Sequence, residues 1–320
     1  MITMIITIYN KEEYLQQCLN SIFDASMQPK DLILINDGST DGCSQILSSF
    51  QSCYQEIICV SHENRGVSAC RNEGVALVKT PYFLFVDADD LIDQLLIQRL
   101  DELVQIECFD LISFNYNKIT KDHTPLSHQH KPFTNKHDGP SVLTAFIKSK
   151  ATFDSACTYL YNTAEFKDHD FHFASGRLHE DFGLIPWVIL NAQSILCIND
   201  VLYYNIMSPN SIMRTNDYAK EVEKANDVLF HVLNLLKQLD QSAYDQDTKE
   251  IFVTYLVHTV ISKLDRLNRK DQAIMINQIR QNDLLKGLPS LGWRKKIKNL
   301  LIQVSPKLYL RMTHLRRWEK

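Results

Sequence analysis

The strongest constraint in this 320-residue chain is the alternation of two hydrophobic periods over residues 1–90. Short apolar runs lie at residues 2–8 (ITMIITI), 32–35 (LILI), 57–60 (IICV) and 82–86 (YFLFV). Runs that are apolar on both faces suit the inner strands of a parallel sheet covered by helices. Between them Tyr14, Leu15, Cys18, Leu19, Ile22 and Phe23, and then Ile46, Leu47 and Phe50, recur at helical spacing. Residues 38–41 (GSTD) supply turn and N-cap chemistry after the second run. This alternation predicts an α/β fold with a mostly parallel, Rossmann-like sheet, flanked by helices and joined by right-handed crossovers. Ligands of such sheets sit beyond the carboxyl ends of the strands, which directs attention to residues 7–10, 36–39 and 87–90.

Residues 110–118 (DLISFNYNK) predict a further strand, followed by a long His- and Lys-rich loop over residues 120–138. From Tyr218 the period becomes wholly helical, with Val222, Ala225, Val228, Leu229, Val232 and Leu235 on one face. Two more helices are expected over residues 251–267 and 272–280. The chain therefore divides into an α/β domain, 1–215, and a helical C-terminal region, 216–320.

Lys and Arg number 34 against 38 Asp and Glu, a formal charge of −4, which makes no electrostatic case for nucleic acid. The average conceals a basic end. Residues 286–320 carry ten basic residues and one acid, Glu319, a net of +9 against −13 for the remainder. There Arg294, Lys295, Lys298 and Arg311 interleave with Trp293, Ile297, Leu301 and Trp318. The pattern fits a helix lying on an anionic membrane surface, or a helix pair packed on the domain with a solvated basic face. No apolar run reaches the ~18–20 residues of a membrane span. The start, MITMIITIYN, lacks the basic n-region and cleavage site of a signal peptide. A cytoplasmic protein is expected, peripheral on the inner face of the membrane where the tail docks. Eight scattered cysteines without C-x-x-C spacing are expected as reduced thiols.

Three strand ends carry chemistry. Thr7 and Tyr9 could hold a flat heterocycle by stacking and edge hydrogen bonds, or could simply end a strand. Asp37 could accept an N–H from a base such as uracil, or could serve an Asp-Gly turn. Asp87, Asp89 and Asp90 place three carboxylates within four residues, a repulsive arrangement unless a cation neutralises it. A hard divalent ion with oxygen ligands answers that need, as does an acidic helix start favoured by the helix dipole. In the intervening NRGVSACRN stretch, Arg65 or Arg71 could meet a diphosphate.

The elements IYNKEEYLQQCLNSI, INDGSTD, NRGVSACRNEG and FVDADD, in this order and spacing, resemble the family-2 inverting glycosyltransferases with the GT-A fold, of the bacterial surface-polysaccharide type. The likeness is dense over residues 3–90 and thinner to about residue 214. It implies a nucleotide-sugar-binding catalytic domain and a donor site of Thr7, Tyr9, Asp37, Arg71, Asp87, Ala88 and Arg214. It further implies a Mn2+ or Mg2+ ion on Asp89 with Asp87, and Asp181 as general base beside Glu180 in LHEDF. The implied reaction moves a sugar from a UDP-sugar donor to a saccharide or lipid-linked saccharide. Asn36 stands where many relatives have a second Asp, and Leu160-Tyr161 lacks the Trp and Lys that often precede such a pair. Two other classes remain open at this level: a non-catalytic nucleotide-sugar-binding module, and a nucleotidyltransferase. The intact acids speak against the first, and the absence of a Gly-rich phosphate loop near the N-terminus against the second.

Overall fold

The computed structural model describes residues 1–53, 57–129, 134–207 and 217–282. Internal contacts divide the chain into two compact units, Met1–Arg214 and Thr215–Lys320. In the first, the elements run β1 (Ile2–Ile8), α1 (Glu12–Phe23), β2 (Asp31–Asn36), α2 (Cys43–Cys53), β3 (Ile57–Ser61), α3 (Val67–Leu77), β4 (Tyr82–Asp87) and β5 (Leu91–Ile92). They continue with α4 (Leu96–Ile106), β6 (Leu111–Ile119), β7 (Pro125–Gln129), β8 (Asn135–His137), α5 (Gly139–Ser149), β9 (Tyr159–Asn162), α6 (Thr163–Asp168), α7 (Glu180–Asn191) and β10 (Ile195–Ile206).

One sheet holds all these strands in the order β3-β2-β1-β4-β9-β6-β10-β5, with β7 on β6 and β8 on β10. The first four strands of that order pair in parallel. Because β9 runs antiparallel to both β4 and β6, and β10 parallel to β6, the strands β1, β2, β3, β4, β6 and β10 all point one way. β1, β2 and β4 are inner strands as expected, and Ile2, Met4, Ile5, Ile6 and Ile8 of β1 are all fully buried. Each such side chain stabilises by roughly 1.5–3 kcal/mol on leaving water. The expected inner strand over residues 57–60 is instead the edge strand β3, paired with β2 alone among the described strands and only half-buried. α1 buries Tyr14, Leu15, Cys18, Leu19 and Ile22, the stripe that its spacing predicted.

Register brings the strand ends level. Thr7 of β1 lies beside Ile35 on one side and Asp87 on the other, and Ile8 beside Asn36. The chemistry-bearing ends of β1, β2 and β4 therefore share one sheet edge.

The stretch over residues 120–138 departs from the expected loop. β7 folds back on β6, pairing Tyr116 with Gln129 and Lys118 with Ser127, and β8 pairs with β10. Both are polar edge strands, exposed at Leu126, Asn135 and Lys136, so no apolar period marks them.

The second unit, as described, consists of α8 (Tyr218–Asp240), α9 (Gln246–Leu264) and α10 (Arg269–Gln281). α9 and α10 start upstream of their first apolar residues because Asp245 and Asn268 cap them, Asp245 accepting the Thr248 N–H and Asn268 those of Lys270 and Asp271. No helix among the described residues is long and apolar enough to cross a membrane. The basic stretch 286–320 lies outside the described residues.

Candidate active site

The site is built from the turns that follow β1, β2 and β4, closed by the start of α7. After β1, Tyr9 is exposed, and Asn10 adopts a left-handed backbone (φ 50°). Its Oδ1 accepts the Thr40 N–H at 2.8 Å, tying this turn to the one after β2. The N-terminus of α1 is then satisfied from outside, since the Glu12 N–H donates to Asp41 Oδ2 at 2.9 Å.

At the end of β2, Asp37 is buried. Its Oδ1 accepts the Arg65 N–H at 2.7 Å and its Oδ2 the Gly66 N–H at 2.9 Å, so the carboxylate shapes the loop that leads into α3. Gly38 makes this approach possible: φ is +73°, and a Cβ there would lie 2.7 Å from the Asn64 nitrogen. Asn36, the departure from the family pattern, donates to Ser44 Oγ and accepts the Ser39 N–H. Asp37, His62 and Cys70 bring ligand-type atoms within 4.8 Å of one another. Burial, with the hydrogen bond to Asp37, pushes the Cys70 thiol up to about 12, so it stays a protonated donor to that carboxylate. Cys18, Cys43, Cys59, Cys70, Cys108, Cys157 and Cys197 are all free thiols.

The three acids at the end of β4 and just beyond it meet three different fates. Asp90 turns inward, where its carboxylate accepts from Tyr203 Oη at 2.8 Å, the Ile206 N–H at 2.8 Å and Asn205 Nδ2. Burial first, and then Asp87 and Asp89, hold its carboxyl well above the usual range. Asp89 pairs with the Lys11 ammonium. Asp87 accepts from Arg71 Nη2 at 3.0 Å while keeping 39% of its side-chain surface accessible. Ala88 is buried between them. Two cations of the chain thus face two acids of this triplet, Arg71 on Asp87 and Lys11 on Asp89, while Asp90 is held by hydrogen bonds and keeps the repulsion of its neighbours as a raised carboxyl.

Arg71, expected at the donor diphosphate, lies inside the protein. Only 3% exposed, it sits with its guanidinium carbon 5.6 Å from the Phe85 ring and 5.2 Å from the Phe173 ring. Nη1 donates to Glu180 Oε1 at 3.0 Å and also to Asp181 Oδ1, while Nη2 takes Asp87. Arg65 instead pairs with Glu73.

Glu180 and Asp181 form the first turn of α7, where the helix dipole favours acids. His179 precedes them in the left-handed region at φ 58°. Asp181 Oδ2 also accepts the Ala156 N–H at 3.1 Å. Burial raises the Asp181 carboxyl, Arg71 opposes, Glu180 and Asp87 add to the rise, and the balance stands at about 7. The expected effect of Glu180 is present, but desolvation is the larger cause. A quarter of the Asp181 side-chain surface (25%) remains open.

Thus Arg71 joins Asp87, Glu180 and Asp181 in one cluster, and Thr7 and Asp89 adjoin it along the sheet edge and the following turn. Arg214 lies outside the described residues. Sequence reasoning missed Lys11 as the partner of Asp89. A signal existed, since a lysine at a helix N-terminus opposes the dipole and calls for a nearby acid.

The family model described as Glycosyl transferase family 2 matches residues 3–169. The glycosyltransferase GlyA of Streptococcus pneumoniae is 30% identical over 221 residues, 67% of this chain and 31% of that protein. The chain thus spans less than a third of that relative's length. A teichoic acid poly(glycerol phosphate) polymerase of Staphylococcus epidermidis is 42% identical over 91 residues, 28% of this chain and 13% of that protein. Among solved structures, S. aureus TarS 1–349 in complex with UDP-GlcNAc superposes with a TM-score of 0.70 at 18% identity, over 90% of this chain and 81% of that one. That likeness carries the GT-A fold. With more than half of its length matched by the family model, the chain belongs to glycosyl transferase family 2.

Proposed function

We propose that this protein transfers a sugar from a UDP-sugar, with inversion at the anomeric carbon, to a saccharide or lipid-linked saccharide hydroxyl in cell-surface glycan synthesis. The observation that carries the reading is the buried Arg71, which gathers Asp87 of the strand-end motif and Asp181 of α7 around one guanidinium. The UDP-GlcNAc held by the structurally similar TarS and the teichoic acid polymerase among the relatives support the donor and acceptor classes.

In this mechanism the acceptor hydroxyl approaches Asp181, whose open side-chain surface faces solvent. A carboxylate poised near neutrality takes that proton as the acceptor oxygen bonds to the anomeric carbon. The bond from that carbon to the phosphate oxygen breaks, and its electron pair leaves with the nucleoside diphosphate. Asp37, Thr7 and Tyr9 hold the base at the neighbouring strand ends. Asp87 and Asp89 offer partly accessible carboxylate oxygens on one turn, a donor set that fits Mn2+ or Mg2+. A divalent ion bound there supplies charge neutralisation for the leaving diphosphate. Lys11 is the group of this chain that must yield Asp89 for that to happen.

The test is the Asp181→Asn variant, followed by calorimetry with UDP-sugars and by a transfer assay. Donor binding should persist while transfer falls about 10²–10⁴-fold. Wild-type transfer by the variant removes Asp181 as the base, and a wild-type protein that binds no UDP-sugar, with or without Mn2+, overturns the reading.

A further inference from the structure

Arg71 does not hold its position alone. The next residue of α3, Asn72, reaches the segment between α6 and α7, where Nδ2 donates to the Phe173 carbonyl at 2.8 Å and Oδ1 accepts the Phe173 N–H at 2.8 Å. One side-chain amide thus closes both backbone groups of a residue 101 positions away. Aspartate lacks the donor for this double contact and alanine lacks both halves. Phe173, 1% exposed, packs edge-on against Phe85 with centroids 5.5 Å apart, and both rings border the Arg71 guanidinium. The same segment runs on to His179, Glu180 and Asp181. It turns through left-handed backbone at Asp170, Gly176 and His179, so it is not a regular element that sets its own geometry.

We propose that Asn72 is a positioning residue for the transfer reaction: by clasping Phe173 it holds the ring wall of Arg71, and so sets the spacing between Asp87 on the donor side and Asp181 on the acceptor side. The inference rests on the function proposed above. Asn72 itself touches neither donor nor acceptor; it acts through Phe173 and Arg71. Misplacement of a reacting group by about 1 Å costs on the order of a hundredfold in rate.

The test compares wild type with Asn72→Ala, Asn72→Gln and Phe173→Leu in the full chain, reading kcat, acceptor and donor KM, and UDP affinity by calorimetry. Asn72→Ala should lose kcat by about tenfold to a hundredfold with UDP affinity unchanged, and Asn72→Gln, which keeps the amide, should recover part of that loss. Phe173→Leu keeps the backbone pair but removes the ring, and should lose kcat as well. Combined with Asn72→Ala it should lose less than the sum of the two in free energy, since both act along one route. Wild-type kcat in Asn72→Ala, strictly additive losses, or a parallel fall in UDP affinity overturns the proposal. Where Asn72→Ala does not fold, full kcat in both Asn72→Gln and Phe173→Leu overturns it. A wild-type protein without UDP-sugar binding or transfer sinks the parent reading instead, so the two failures are distinct.

Discussion

At the scale of single residues, the proposed chemistry turns on opposed influences upon Asp181. Burial lifts its carboxyl, Arg71 pulls it down, and the outcome is about 7. A base must be ionised to accept a proton, so kcat/KM should rise with pH and level off once pH passes the value of the free enzyme, near 7. Arg71→Met removes the lowering influence and leaves those that raise. Its acid limb should therefore move to higher pH, and each step of one pH below the new value leaves about tenfold less ionised base. A pH–rate profile decides it, and a limb that moves to lower pH contradicts the assignment. Lys11 offers a second expectation at this scale. Its ammonium pairs with Asp89, so Lys11→Met should tighten Mn2+ binding measured by calorimetry if Asp89 holds the proposed ion; weaker or unaltered binding would separate Lys11 from the proposed cation site.

At the scale of elements, two glycines show how tightly the scaffold meets behind the site. Gly139 opens α5, and a Cβ there would stand 2.0 Å from the Ile189 carbonyl oxygen and 2.7 Å from that of Ala192. Gly74 of α3 faces the core, where a Cβ would lie 2.4 Å from Ile5 Cγ2. Backbone oxygens at the end of α7 yield less readily than a side-chain methyl. Gly139→Ala should accordingly cost more stability than Gly74→Ala, with overpacking of this kind worth about 1–3 kcal/mol. Urea unfolding of both variants gives the order, and a larger loss at Gly74 would reverse this view of the packing. Elements differ equally in how far their residues announce them. β1, β2, β3 and β4 are apolar on both faces, and α8 carries a clear stripe, so local pattern suffices. β7 and β8 are polar edge strands whose existence depends on β6 and β10 offering free hydrogen-bonding edges.

At the scale of the whole molecule, the site exists only through contacts between distant segments. Arg71 reaches Asp181 across 110 positions, Lys11 reaches Asp89 across 78, and Ile206 reaches Asp90 across 116. Loss of the proposed divalent ion should disable the assembled site as a unit: EDTA should suppress transfer, and added Mn2+ or Mg2+ should restore it. Turnover that continues in metal-free buffer would remove the ion from the reaction. The amino-acid sequence by itself determined the alternation of strand and helix, the strand ends at which acids gather, and the helical character beyond Tyr218. These follow from periods and capping residues that act over a few positions. Only the tertiary structure decided which cation answers which acid, that Asp90 is buried and Asp87 open, and that Arg71 lies inside the protein among Asp87, Glu180 and Asp181. Such pairings depend on strand order and register, and the charge of a residue carries no record of the partner that folding brings to it.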